Sequence, residues 1–291
     1  MLAMLIGAHI STEGGLHTAL DRAVEEGCDA LQIFTKNKGT WAAKPLTDEQ
    51  LQAFQDRARA TGHKPVVAHA AYLINLASPA KELRDKSTEA LRVEVERCEA
   101  LGISSLVLHP GSHGGTSDEE GLRRAATALD RVHRATRGFR TRILLETSAG
   151  QGSSICVSFA SIGNLIDRVR DPERLGVCVD TCHIFAAGYE LRTDEGYHRS
   201  MAELEEHVGS SRVLCLHIND SKKELGTRVD RHEHIGKGYL GSEGLRRILN
   251  DSRFAHAPFI FELPPENGMI RKNLAALRAL VVRPRKTRSL T

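Results

Sequence analysis

PVVAHA (residues 65–70), SLVLHP (105–110), RILLET (142–147), GVCVDT (176–181), VLCLHI (213–218) and FIFELP (259–264) are apolar runs of strand length. Each carries, at or near its end, a side chain able to bind a metal ion: His69, His109, Glu146, Asp180, His217 and Glu262. The intervals between these residues are 40, 37, 34, 37 and 45 residues, each about one strand plus one helix. Two further apolar runs, residues 5–10 and 30–34, precede them. With the others at 65–69, 105–109, 142–146, 176–180, 213–217 and 259–262, the pattern predicts eight strands. Amphipathic stretches lie between them. Residues 47–61 open with Thr47 as N-cap and Glu49 and Gln50 in the first turn, and residues 79–101 carry Leu83, Ala90, Leu91 and Val95 on one face. Residues 117–134 and 194–207 read as helices too, and residues 267–281 supply the last. A mean repeat of about 36 residues suits an α/β chain folded as a (β/α)8 TIM barrel. A doubly wound sheet would usually carry G-x-G-x-x-G after its first strand; GAHISTEGG, from Gly7, has other spacing. We expect a single barrel domain over residues 1–282 and a basic tail, RPRKTRSLT, over 283–291.

Composition narrows the class. With 41% hydrophobic and 26% charged residues, the chain is neither disordered, collagenous nor a coiled coil. No apolar run approaches the roughly 18 residues of a membrane span. MLAMLIGAHI lacks the basic start and cleavage site of a signal peptide. Six cysteines without a CxxC pair read as buried, reduced thiols. A cytoplasmic protein with no membrane partner is the expectation.

In a barrel the C-terminal strand ends share one rim, where active sites sit. The six terminal side chains would therefore converge. His, Asp and Glu make up about one residue in six, and a lone His after a strand is usually a hydrogen-bonded rim residue. Six such endings in succession call for another reason. Carboxylates and imidazoles crowded together repel or shift their pKa values unless cations are present. Asp180-Thr-Cys-His183 leaves its strand for a loop, and Asp230-Arg-His232 points both ligand side chains one way if extended. The candidate ligands are then His69, His109, Glu146, Asp180, His183, His217, Asp230, His232 and Glu262. Nine exceed one tetrahedral site and suit two or three ions with bridging carboxylates. Imidazole and carboxylate without thiolate favour Zn2+ or Mn2+ over Mg2+ or Ca2+. Cys182, between two ligands, reads as packing. Setting aside the four ligand carboxylates turns a net charge of +3 into +7 elsewhere, which suits a polyanionic substrate.

These motifs carry a resemblance. GAHIS (from Gly7), FTKN (Phe34), HAAYLINLAS (His69), LHPGSH (Leu108), LETSAGQGS (Leu145), VDTCHIFAAGY (Val179), HINDSK (His217), DRHEHIGKG (Asp230) and FELP (Phe261) run from the first strand to the last. Together they resemble the endonuclease IV family, multi-zinc apurinic/apyrimidinic endonucleases of base-excision repair. The resemblance implies three Zn2+ per chain, with Mn2+ at one site as a variant. His69, His109 and Glu146 would hold one ion. Glu146 would bridge to a second, shared with Asp180, His217 and Glu262; His183, Asp230 and His232 would hold the third. It further implies cleavage of duplex DNA 5′ to an abasic site by a three-zinc hydroxide mechanism, leaving a 3′-hydroxyl and a 5′-deoxyribose phosphate. Glu146 would be the catalytic carboxylate that orients the hydroxide, in a monomer acting on DNA in the cytoplasm or nucleoid.

The implied DNA contacts depart from the family at one place. Tyr72 and Leu73 match the wedge that fills the gap left by a flipped nucleotide. An Arg of the family that enters the base stack is replaced by Gly39, beside Lys38. Lys38 offers a phosphate contact but cannot stack as a guanidinium does. Arg231 is placed to clamp a phosphate, the loop 149–154 to offer backbone N–H groups, and His9 to line the pocket without ligating. Two rivals are a divalent-metal sugar isomerase on the same barrel and a non-catalytic DNA-damage-binding module. The loop 219–238, with Asp230 and His232, argues against the isomerase; a complete ligand set argues against the module. An endonuclease of the same type with another lesion range is left open.

Overall fold

The computed structural model describes residues 4–62, 64–263 and 268–282. The basic tail and the first residue of the expected last helix lie outside the described residues. Strands β1 (Ile6–His9), β2 (Ala30–Phe34), β3 (Val66–His69), β4 (Ser105–Leu108), β5 (Arg142–Glu146), β6 (Leu175–Asp180) and β7 (Val213–His217) each pair in parallel with the next. Two short strands follow, β8 (Asp220–Ser221) and β9 (His232–Glu233), and then β10 (Phe259–Phe261). β10 pairs with both β7 and β1, closing an eight-stranded barrel. All eight strands expected from the sequence are present, with ends moved by a residue at most. β4 and β10 stop one residue early, so His109 and Glu262 lie just past their strands. The closure needs Gly7, because a Cβ there would collide with the Ala30 carbonyl of β2.

Side chains alternate in and out along a strand. One interior layer of the barrel is Ala30, Val67, Val107, Leu144, Cys178, Cys215 and Ile260, all buried. Two residues further on, each strand points to the same interior: Gln32, His69, His109, Glu146, Asp180, His217 and Glu262. A dry plug therefore forms the floor beneath a wholly polar layer. That polar layer is where the site sits, and it is positioned by the pleat alone.

Helices cover the outside. α1 (Thr18–Glu26), α2 (Asp48–Ala60), α3 (Lys81–Leu101) and α4 (Asp118–Ala135) follow the first four strands. α5 (Phe159–Arg168), the short buried α6 (Thr181–Ala187) at the rim against β6 and β8, α7 (Asp194–His207), α8 (Gly241–Leu249) and α9 (Met269–Leu280) follow, and all of these but α6 complete the ring. Thr47 caps α2 with the reciprocal Gln50 bond of a capping box. The sequence reading left out α1, α5, α6 and α8. They are 9, 10, 7 and 9 residues long, shorter than the window over which helical periodicity declares itself. One reading is corrected: the Asp180–His183 segment is not a loop. Asp180 is the N-cap of α6, its carboxylate accepting from His183 N–H at 2.9 Å. All six cysteines are free and buried. Among the described residues no helix is long and apolar enough to cross a membrane.

The antiparallel pair β8–β9 pins the loop that carries Asp230 and His232. Its anchor is the fully buried Asp220. The carboxylate accepts from the backbone N–H groups of Ser221 (2.8 Å), Gly238 (3.0 Å), Leu240 (3.1 Å) and Gly241 (3.0 Å). Gly238 allows this approach, since a Cβ there would meet Asp220 and the Ser221 carbonyl. Removing the acceptor leaves buried donors unpaired. Asp220→Ala should cost at least about 2 kcal/mol in a denaturation experiment. It should also raise proteolytic cutting between residues 222 and 231. An unchanged midpoint and cutting pattern would show that the loop is held otherwise.

Candidate metal centre

All nine candidate ligands meet above the apolar floor, in three groups whose donor atoms lie within 4.8 Å of one another. The first is His69, His109 and Glu146; the second Glu146, Asp180, His217 and Glu262; the third His183, Asp230 and His232. Glu146 belongs to two groups because its oxygens face different ways. Its Oε2 is 3.2 Å from Nε2 of both His69 and His109, whereas its Oε1 is 2.8 Å from His217 Nδ1. His217 Nδ1 also lies 3.1 Å from Glu262 and 3.8 Å from Asp180. His183 Nε2 is 3.2 Å from Asp230, and His232 Nε2 is 3.4 Å from Asp230 and 3.5 Å from Asp180.

The remaining ring nitrogens settle the tautomers. A carbonyl oxygen only accepts, so the nitrogen facing it carries the proton. His69 Nδ1 donates to Ala70 O (2.8 Å), His183 Nδ1 to Thr147 O (2.8 Å) and His232 Nδ1 to Glu262 O (3.1 Å). His217 Nε2 donates to Gln32 Oε1 (2.8 Å), and the Gln32 amide is oriented by donating its own N–H to Glu262 (2.5 Å). Asn219 donates to Asp180 (2.7 Å) and accepts from Glu262 N–H (2.9 Å). Outer partners of this kind orient metal-binding imidazoles. A neutral imidazole so fixed turns a lone pair towards the carboxylates. His183 Nε2 and His232 Nε2 are buried without a hydrogen-bond partner. A lone pair aimed at a carboxylate oxygen is repulsive unless a cation, or a second proton, lies between. The donor set therefore fits bound divalent cations.

Proton affinities show the same demand. Burial opposes charge on every group here. For His217 the Glu262 and Glu146 carboxylates outweigh burial and hold the imidazole well above its ordinary value. His183 is pushed up to about 10 against burial, by Asp180, Asp230 and Glu146. Glu146 is held well below the carboxylate range despite burial, by His109 and His217. His109 and His9 are pulled down, chiefly by burial. Without cations, protons hold the carboxylates together.

The cleft over this layer has a volume of about 560 Å³ and is lined by Tyr72, His109, Ser112, Gln151, Arg231 and Glu262, among others. A larger hollow of about 750 Å³ lies at the other end of the barrel, against Val66, Ser105 and Arg142, with no ligand cluster among the described residues. Tyr72 is 57% exposed at the cleft mouth, and Leu73 beside it is half-buried. Tyr72 meets Phe34 edge-on at 5.5 Å, and Lys38 Nζ sits 5.3 Å from the Tyr72 ring and 5.4 Å from the Phe34 ring. Arg231 is exposed beside the third group; among the described residues its guanidinium bonds only the Asp230 carbonyl, at 2.6 Å. Cys182 donates to the Arg231 carbonyl at 3.6 Å and packs the loop. Gln151, from the loop 149–154, accepts from Asp230 N–H at 3.3 Å. His9 stands 3.6 Å from Glu262 at the edge of the second group. Sequence reasoning missed Gln32, Asn219, Thr147 and the buried Glu94. Glu94 accepts from Thr35 Oγ (2.9 Å) and Ala71 N–H (3.1 Å) and faces Lys36 at 3.5 Å, tying down the loops of Lys38 and Tyr72. Only Gln32 left a signal, as the one polar residue of the run ALQIF.

Barrel and metal-type rim define a class first. The chain matches a family described as the xylose isomerase-like TIM barrel over residues 20–280. It is 50% identical over 277 residues to a probable endonuclease 4 of Chloroflexus aurantiacus, covering 94% of this chain and 97% of the relative. A probable endonuclease 4 of Geobacter sulfurreducens is 46% identical over 288 residues, covering 98% and 97%. The crystal structure of endonuclease IV from Thermus thermophilus superposes with a TM-score of 0.83 at 34% identity, covering 95% of this chain and 98% of that one. The chain belongs to the endonuclease IV family and is a nuclease, a hydrolase of DNA repair. A D-tagatose 3-epimerase-like protein, at TM-score 0.74 and 18% identity, shares the fold alone.

The proton account makes a prediction. His183 has a folded value of about 10, above the ordinary 6.5. Its proton stabilises the ion-free protein fully below pH 6.5, and that contribution is lost as pH rises through about 10. A cation at His183 Nε2 must displace that proton, so loading at pH 7 should release protons and tighten as pH rises. Calorimetric loading of chelated protein in two buffers of different ionisation enthalpy reads the release directly. Loading without proton release would contradict the assignment of His183.

Proposed function

We propose that this endonuclease hydrolyses the phosphodiester 5′ to abasic sites in duplex DNA, leaving a 3′-hydroxyl and a 5′-deoxyribose phosphate. The observation that carries the reading is the division of Glu146, with one oxygen on each of two ligand groups. Three ions would be held, by His69, His109 and Glu146, by Glu146, Asp180, His217 and Glu262, and by His183, Asp230 and His232. The all-nitrogen-and-oxygen donor set suits Zn2+, with Mn2+ at one site as a variant. Such ions supply Lewis acidity to the phosphate oxygens and lower the pKa of an attacking water.

The chain's own residues bind and orient. Glu146 fixes the spacing of the first two groups and is the carboxylate placed to orient the nucleophile. Gln32, Thr147 and Asn219 hold its neighbours in one tautomer or rotamer. Tyr72 and Leu73, at the cleft mouth, serve as the wedge that replaces a flipped abasic nucleotide. Lys38 and Arg231 meet backbone phosphates from either side, the loop 149–154 adds backbone N–H groups, and His9 lines the pocket. We take the working unit to be a monomer in the cytoplasm, acting on nucleoid DNA.

A duplex with one tetrahydrofuran abasic analogue tests the reaction, because the analogue resists β-elimination. The metal-replete protein should nick it 5′ to the analogue without added Mg2+, and a polymerase should extend the new end. Glu146→Gln should bind the duplex yet lose at least about 10³-fold in turnover. An absolute need for added Mg2+, or wild-type turnover in the variant, would sink the reading.

Gly39 invites a gain-of-function test. A Cβ built there finds only the Asn37 side chain, at an ordinary 3.5 Å, and the backbone is not left-handed. Gly39→Arg should therefore fold normally and add a guanidinium that stacks on bases. Affinity for abasic duplex, measured by anisotropy, should rise about tenfold, as expected for one added stacking contact. Unchanged or weaker binding would place this loop away from the duplex.

A further inference from the structure

At the far end of the barrel from the metal centre, α4 finishes beside the segment 170–174 that leads into β6. A pocket of about 370 Å³ lies between them, lined by Arg131, His133, Arg134, Arg137, Arg170 and Arg174. Two carboxylates, Asp130 and Asp171, share the lining with these five arginines. Some of the charge is spent locally. Arg131 donates to Asp85 at 2.6 Å, and Arg170 lies 3.5 Å from Asp130. Arg174 donates to the carbonyls of His133 (3.1 Å) and Thr136 (2.9 Å), which offsets the negative C-terminal end of α4. Arg134 and Arg137 are exposed, and neither guanidinium has a partner among the described residues.

A second observation is independent of the charge count. His133 is only 6% exposed, and both of its ring nitrogens lack a hydrogen-bond partner. Arg174 Nε, in the same lining, is also buried and unpaired. Buried polar groups are seldom left so. The unmet valences are mostly donors: the Arg174 Nε–H, one imidazole N–H and two free guanidinium forks. Their common complement is a compact anion with several acceptor oxygens, the geometry that arginine forks match.

We propose that this pocket is a binding site for a phosphate-type oxyanion, either inorganic phosphate or the phosphate of a mononucleotide. It is separate from the metal cleft, because it lies at the N-terminal ends of the strands while the cleft opens at their C-terminal ends. His133 and Arg174 form its floor, and Arg134 and Arg137 close over the anion from the solvent side.

The test is calorimetric titration of the metal-replete full chain with inorganic phosphate and, separately, with a nucleoside monophosphate. The metal centre also attracts phosphate, so variants of the pocket make the distinction. Arg134→Ala/Arg137→Ala alters exposed residues remote from the cleft and should leave cleavage unchanged. It should remove one phosphate equivalent or weaken it at least tenfold. His133→Leu, which removes the unpaired nitrogens and keeps an apolar filling, should do the same. Tighter binding of the mononucleotide would name the nucleotide as the source, and equal binding would name free phosphate; both support the site. Wild-type affinity and stoichiometry in both variants would overturn it, as would an adventitious ion only, with binding confined to molar phosphate.

Discussion

Glu146 is fully buried, and its two oxygens face histidines of different groups. The layer around it depends on how that charge is compensated. Asp180 is equally buried, and Glu262 sits beside His217 at 3.1 Å. An interior that holds several carboxylates is stable only if positive charge is interleaved with them. In the ion-free protein the raised proton affinities of His217 and His183 do this. Divalent cations would do it better, since ions held by these groups would carry more charge than a proton and would link ligands from separate segments of the chain. The rim of the barrel is thereby an electrostatic unit rather than a row of separate side chains.

The geometry of that unit comes from partners outside it. Backbone carbonyls of Ala70, Thr147 and Glu262 each take one imidazole proton, and Gln32 takes another. Asp220 secures the loop of the third group, and Glu94 secures the loops that carry Lys38 and Tyr72. Metal-type ligands and the residues at the cleft mouth are thus both held by buried carboxylates that never face the cleft. Such support keeps a site in shape without substrate.

The barrel itself says little about chemistry. A D-tagatose 3-epimerase-like protein shares it at 18% identity. What carries the chemistry in this chain is one polar layer, together with the loop between β8 and β9, which completes a third ligand group. Function resides in that grafted layer, not in the fold beneath it.

The repeating apolar run with a ligand at its end was legible because strands are local: a period of two and a spacing of one βα unit need no tertiary information. The same pattern marked six of the ligands, the short motifs Asp180-Thr-Cys-His183 and Asp230-Arg-His232 added the other three, and the cap at Thr47 marked the start of α2. Other features were invisible along the chain. α6 begins at Asp180 only because that carboxylate caps the turn while also facing the cluster. Glu94 and Asp220 look like surface acids in the sequence, and the unpaired His133 looks like any helix residue. Their roles depend on burial and on partners from distant segments, which exist only once the barrel has closed. Sequence alone determined the strand order, the ligand types and the end of the barrel that holds them. Tertiary structure decided which oxygen of Glu146 serves which group, and which ring nitrogens remain unpaired, because hydrogen-bond direction is set by three-dimensional neighbours.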